Sequence, residues 1–176
     1  MPDKPRNKTG GKIVSSAHLA DGGAPALSEF EYGLIISGNA FDRWIVRCMA
    51  AAGYPDFNRL DVLVLHTVNH RARDKRLADI CFVLNIEDTH LVNYALKKLL
   101  KAGLVAAEKR GKESLYRTSD EGAEACRRYR EVREPCLVET ITSLGNFDED
   151  EIAAVARFLR ALSGLYDQAA RAATSL

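Results

Sequence analysis

Residues 85–118 read NIEDTHLVNYALKKLLKAGLVAAEKRGKESLYRT, and this stretch decides the fold. Val92, Ala95, Leu96 and Leu99 recur at helical spacing and predict a helix from Asp88 to Lys101 with one apolar side. Gly103 stops it. Leu104 to Arg110, the turn Gly111-Lys112 and Glu113 to Thr118 then predict a two-stranded hairpin. A shorter helix is predicted just upstream, from Arg76 to Leu84, with Leu77, Ile80, Cys81, Val83 and Leu84 as core candidates. Helix, turn, helix and basic ribbon in that order make a winged helix-turn-helix, a device for reading duplex DNA.

Outward from this unit, the periodicity predicts more helices. Ser28 with Glu31 has capping-box spacing, and Phe30, Leu34, Phe41, Trp44, Ile45, Cys48 and Met49 extend a helix from about Leu27 to Ala52. A second runs from Arg59 to His70 and is apolar on much of its circumference through Leu60, Val62, Leu63, Leu65, His66 and Val68. Arg71 to Lys75 reads as a charged connection. After the hairpin, Ser119 caps a helix running to about Leu144 with a bend near Pro135. A last helix begins after Asn146 or Asp148, runs to about Ala173, and carries the stripe Ile152, Val155, Phe158, Leu159, Leu162 and Leu165. The expected fold is mainly α with a small β-hairpin wing. Its parts are a flexible arm (1–26), a first dimerisation helix (27–56), the winged-helix unit (57–118) and C-terminal dimerisation helices (119–176). The apolar end helices call for a second copy to bury them, hence a homodimer. Packing within their own domain is the alternative.

Charge is distributed to match. The chain of 176 residues has a net charge of +1, but residues 71–118 hold eleven basic and six acidic groups, whereas residues 119–176 hold seven and eleven. Positive charge is thus concentrated where phosphates would be met. Lys4, Arg6, Lys8 and Lys12 give the arm its own charge, suited to a tail or to a groove contact. No apolar run reaches the roughly 18 residues of a membrane span, and no signal-like segment follows the first residues, so a cytoplasmic protein is expected. Cys48, Cys81, Cys126 and Cys136 lack zinc-site spacing. No catalytic motif is present, so neither an enzyme, a cofactor nor a metal is expected.

The residues suited to reading bases are Thr89, His90, Asn93 and Tyr94. Asn pairs bidentately with adenine and Thr meets a thymine methyl. Lys97, Lys98 and Lys101 suit phosphates, and Lys109, Arg110 and Lys112 on the ribbon suit the backbone or a minor groove. The competing reading is a winged helix that binds protein rather than DNA.

Four segments resemble the MarR family of bacterial transcription regulators: Leu77-Ala78-Asp79-Ile80, Val92 to Leu99, Lys101 to Val105, and Thr118-Ser119-Asp120-Glu121-Gly122. Phe30 to Leu34, Asn85 to His90 and Lys109 to Glu113 further resemble the LdtR-type branch, linked to cell-wall remodelling and stress tolerance. The wing departs from the family in being short and lacking the Asp-x-Arg tip. The resemblance implies a homodimer on a pseudo-palindromic double-stranded DNA operator. Its affinity would respond to a small aromatic or amphipathic effector, or to oxidation of Cys48 or Cys81. It also implies an effector cleft, with Tyr32, Phe41, Trp44, Cys48 and His66 as candidate lining, although Phe41, Trp44 and Cys48 serve equally as core and His66 as a satisfied core histidine.

Overall fold

A computed structural model describes residues 24–143, 145 and 148–176. Most of the predicted arm, residues 1–23, and Asn146 as a candidate helix start lie outside these residues. Helix α1 spans Pro25–Ala51 and α2 Arg59–Asn69; the two-residue strand β1, Lys75–Arg76, leads into α3, Leu77–Leu84. Then come α4 (Thr89–Lys101), β2 (Val105–Arg110), β3 (Glu113–Thr118) and α5 (Asp120–Arg133). A π-helical segment, Glu134–Val138, passes into α6 (Glu139–Ser143), and α7 spans Glu149–Ala173.

The helix starts follow local chemistry. Helix α1 begins at Pro25 rather than at the predicted Ser28 cap, because a proline at the first helical position forfeits no hydrogen bond and arrives with its φ already set. In α2, Asn58 and Asp61 satisfy each other's backbone: Asn58 Oδ1 accepts from the Asp61 N–H (3.1 Å) and Asp61 Oδ2 from the Asn58 N–H (2.8 Å). Asp148 accepts from the Asp150 N–H, and three further carboxylates occupy the first turn of α7, where the helix dipole favours them. Pro135 does not end the α5 line. The backbone absorbs it by widening: the Glu139 N–H donates to Glu134 O, five residues back, and the helix continues.

The sheet is antiparallel with order β1-β3-β2. Strand β1 corrects the expected charged connection. Lys75 and Arg76 pair with Tyr116 and Leu115, adding a third strand to the hairpin. Lys75 is buried, and its ammonium donates to the carbonyls of Val68 (2.9 Å), His70 (2.5 Å) and Arg73 (3.2 Å). It thereby closes the C-terminal end of α2, whose last carbonyls lack helical donors. Burial, then the neighbouring Arg73, pushes its pKa down.

One core joins these elements. Ile45 and Met49 of α1, Val62, Val64 and Leu65 of α2, Ile80 of α3, Val92, Leu96 and Leu99 of α4, and Leu104 are all fully buried. Helix α2 lies at the centre and is less completely covered than its composition implies, since Leu60, Leu63 and His66 remain half-buried. Val83 departs further: placed by periodicity in the core, it is 64% exposed. Helix α7 also differs, because of its predicted stripe only Leu162 is buried. Among the described residues, no helix is long and apolar enough to cross a membrane.

Candidate nucleic-acid interface

The candidate interface is organised by α4. Asp88 caps it, accepting from the His90 N–H at 2.9 Å. Val92, Ala95, Leu96 and Leu99 are buried as a single strip. At about 100° per residue, His90, Tyr94, Lys97 and Lys101 lie diametrically opposite that strip. All four are exposed, Tyr94 by 71%. Thr89 and Asn93 occupy one flank, with Asn93 half-buried. Leu91 and Lys98 occupy the other.

Lys98 is the clearest departure from the predicted contact set. Its ammonium donates to Asp61 Oδ2 and to Asp56 O, both at 2.6 Å, and sits 5.2 Å from the Phe57 ring centroid. The Asp61 side chain is 1% exposed, so Lys98 neutralises a carboxylate inside the domain. The adjacent Lys97 has an open path to solvent. Neighbouring lysines thus have opposite duties: one fastens α4 to α2, the other is available to a phosphate.

Thr89 forms part of the rim of a concavity of about 340 Å³ shared with Arg76, Leu77, Ala78, Glu113, Ser114 and Tyr116. Arg76, absent from the predicted set, is part of its lining. Its backbone N–H and guanidinium bind Asp79 at 2.9–3.1 Å, and its other nitrogen lies 3.9 Å from Glu113 on the wing. The hydrogen bonds from Arg76 hold the Asp79 carboxyl at about 2. The signal was present in the sequence as the spacing Arg76-x-x-Asp79, half of a capping arrangement.

The wing pairs Val105 to Arg110 with Thr118 to Glu113 in continuous register. Gly111 turns it with φ of 64°, a conformation suited to glycine. Among the described residues Lys109 and Lys112 have no acidic partner, but Arg110 is engaged. Its guanidinium donates to Glu108 at 3.0 Å and lies 3.6 Å from Asp74. Lys109 and Lys112 are therefore the freer cations of the tip.

The join between α4 and the wing is rigid. Ser119 Oγ donates to Gly103 O (2.6 Å) and accepts from the Gly122 N–H (3.0 Å), while the Ser119 N–H donates to Leu104 O (3.1 Å). A Cβ on Gly122 would fall 2.0 Å from Leu104 O. The glycine of the Thr-x-x-x-Gly segment exists because backbone passes against backbone there.

The five candidate effector-cleft residues are not brought together. Tyr32 and Cys48 lie on one continuous helix, about 24 Å apart at 1.5 Å per residue. Phe41 is exposed between them. Trp44 is half-buried against the core. Cys48 is buried and donates its thiol hydrogen to Tyr129 O at 3.4 Å. His66 meets the Tyr129 ring edge-to-face, with centroids 4.6 Å apart. Among the described residues its Nε2 is buried with no hydrogen-bond partner. Burial, reinforced by Arg130, pushes its pKa down. The thiols of Cys48 and Cys81 are both buried and both pushed up by that burial. This opposes the thiolate form that oxidation requires, so neither fits the sensor role.

Comparison with known proteins agrees with this geometry. Residues 57–122 match the family described as a winged helix DNA-binding domain. A MarR family regulator from Neisseria meningitidis superposes with a TM-score of 0.60 at 17% identity, covering 81% of this chain and 94% of that one. A MarR family transcriptional regulator from Rhodococcus sp. RHA1 gives 0.59 at 12%, covering 77% and 93%. The chain has the MarR-type winged-helix fold. A mutant MarR from E. coli, determined in complex with operator DNA, gives 0.55 at 18% identity, covering 74% of this chain and 93% of that one. No curated protein sequence matches the chain.

Proposed function

We propose that this chain is a transcription regulator that binds a pseudo-palindromic operator as a homodimer, with α4 in the major groove and the wing beside it. The observation that carries the reading is α4 itself. Four buried side chains anchor it, while His90, Tyr94, Lys97 and Lys101 stand free on the opposite side. Thr89, Asn93 and Tyr94 would read base edges, Lys97 and Lys101 would meet phosphates, and Lys109 and Lys112 would follow the backbone from the wing. The E. coli MarR structure of similar fold, captured on operator DNA, supports this use of the fold.

The dimer rests on apolar surface that one chain leaves open. Leu27, Ile35, Ile36 and Phe41 of α1 and Ile152, Val155, Phe158, Leu159 and Leu165 of α7 are all exposed. Nine such side chains can supply on the order of 800 Å² per partner, the scale of a stable interface. Two heads on one frame then read two half-sites about one DNA turn, roughly 34–36 Å, apart. A groove of about 690 Å³ between the Arg133–Thr142 stretch and the start of α7 offers room for a small amphipathic effector. It is lined by Leu137, Val138, Ile141 and Ile152, with Arg133 and Glu149 as its charged members. The narrower LdtR-type reading rests on the three short segments that resemble that branch.

The test is binding to the DNA upstream of the chain's own gene, measured across salt concentrations. A regulator of this kind loses affinity log-linearly with salt through counterion release. Salt-insensitive association with a protein and no operator would favour the protein-interaction winged helix instead.

A further inference from the structure

Residues 70–76 read HRARDKR, four cations against one carboxylate. They join α2 to α3 through β1, and their cations divide by duty. Lys75 is engaged inside the protein by three carbonyls, and Arg76 is bound to Asp79. The neighbouring acids are committed as well: Asp74 lies 3.6 Å from Arg110, and Asp79 holds Arg76 at 2.9 Å. Arg71 and Arg73 are both exposed, and among the described residues neither has an ion-pair partner.

Arg71 also has a backbone that an arginine seldom adopts. Its φ of 62° and ψ of 20° are left-handed, a region that residues other than Gly, Asn and Asp rarely enter. The carbonyls that accept from Lys75 include His70 on one side of it and Arg73 on the other. The buried ammonium therefore pins both flanks, and the strained residue cannot relax. Its side chain stands in solvent and adds nothing to the core. Strain of this kind gathers where a protein holds a ligand.

The place of the segment says what it would meet. Strand β1 pairs with β3, and the contacts of Asp74 with Arg110 and of Arg76 with Glu113 (3.9 Å) tie the segment to the wing. The Asp79 carboxyl, held down first by hydrogen bonds from Arg76, is lowered further by the charge of Arg73, which puts Arg73 near the start of α3. Arg76, Leu77 and Ala78 in turn share a concavity with Thr89, the first residue of α4. A duplex with α4 in its major groove and the wing beside it presents a sugar-phosphate strand between the two. We infer that Arg71 and Arg73 clamp the phosphates of that strand, as exposed guanidiniums are suited to do. The inference rests on the DNA-binding reading and extends it to a segment outside both α4 and the wing.

The experiment is DNA binding by the full chain across a salt series, on the duplex upstream of its own gene and on a duplex of unrelated sequence. Wild type is compared with the double variant Arg71→Gly, Arg73→Ala and with Arg171→Ala, a control in the last turn of α7. The double variant should flatten the slope of log affinity against log salt by about 1.8, so the affinity lost between about 50 and about 200 mM salt shrinks about twelvefold. The flattening should be equal on both duplexes, because phosphates carry no sequence. Arg171→Ala should leave the slope within about 0.3 of wild type. Glycine suits the left-handed backbone, so the double variant should melt no lower than wild type, which separates a lost contact from lost folding. A double variant whose slope stays within about 0.3 of wild type on both duplexes, or flattens on one duplex only, overturns this inference and leaves the regulator standing. A wild-type chain with no salt-dependent binding to either duplex overturns both.

Discussion

Replacing Lys98 by Ala separates two duties that sequence assigns to one lysine pair. In the structure, Lys98 supplies the counter-charge for an Asp61 carboxylate that is 1% exposed. Asp61 would keep one other donor to its Oδ2, the Asn58 N–H at 2.8 Å, and among the described residues its Oδ1 has no partner. Removing one member of a buried pair leaves the other desolvated without compensation and costs about 3–5 kcal/mol. The Lys98 side chain is 31% exposed. Some water will replace it, so the lower end, about 3 kcal/mol, applies. For a chain of this size that lowers Tm by about 6–12 °C at fixed protein concentration. Lys97→Ala should leave Tm almost unchanged, within about 0.5 kcal/mol, and should flatten the slope of log affinity against log salt by about 0.9, one phosphate contact. Thermal melts and salt-titrated DNA binding on the two variants give four numbers. If Lys98→Ala keeps its Tm and loses the phosphate slope, Lys98 serves the duplex and the internal pairing is wrong.

Three further outcomes follow from the same geometry. Gly122→Ala forces a Cβ to 2.0 Å from Leu104 O, so it should cost about 3 kcal/mol or more in a denaturant melt; a loss under about 1 kcal/mol would mean that backbone contact is not tight. Lys109→Ala with Lys112→Ala should flatten the salt slope by about 1.8, whereas Arg110→Ala, already paired to Glu108 and close to Asp74, should change it less; equal effects would refute the distinction. The pKa of His66 is pushed down in the folded state, so its unfolded form takes up a proton first. Stability should therefore fall as pH drops below about 6.5, and His66→Phe should remove that part of the slope; an unchanged pH profile for the variant would show that the buried imidazole is not the group titrating.

The helical frame was readable because its signals are local. A 3.6-residue period, the Gly103 stop and the Ser119 cap each act within a few residues, and α4 and the hairpin lie close to where those signals put them. What escaped depends on distant partners. A two-residue strand has no period, and β1 exists only because Tyr116 and Leu115 are there to pair with it. Lys97 and Lys98 are chemically the same in sequence; Asp61, far back in the chain, separates them. Within one chain the predicted cleft residues divide: Cys48 and His66 meet at Tyr129, whereas Tyr32 lies about four turns away from Cys48 along α1. Val83 was assigned to the core because it is apolar, but periodicity does not distinguish a face covered by the same chain from one left open.

The tight join at Gly122 bears on how such a protein could be regulated. Ser119 and Gly122 fix the end of α4 to the start of α5, and Lys75 closes α2 beneath β1 and β3. Helix α4, the wing and α5 are thereby tied into one unit through backbone contacts at Gly103, Leu104, Ser119 and Gly122. In the proposed homodimer, a signal that changes DNA affinity would then act by reorienting that unit against its twin. The continuation of α5 is less regular: the π-helical stretch Glu134–Val138 interrupts the ladder, and Leu137 and Val138 border the groove against α7. On the proposed reading, an effector in that groove would change the angle between α5 and α7 and, in a homodimer, the spacing of the two α4 helices.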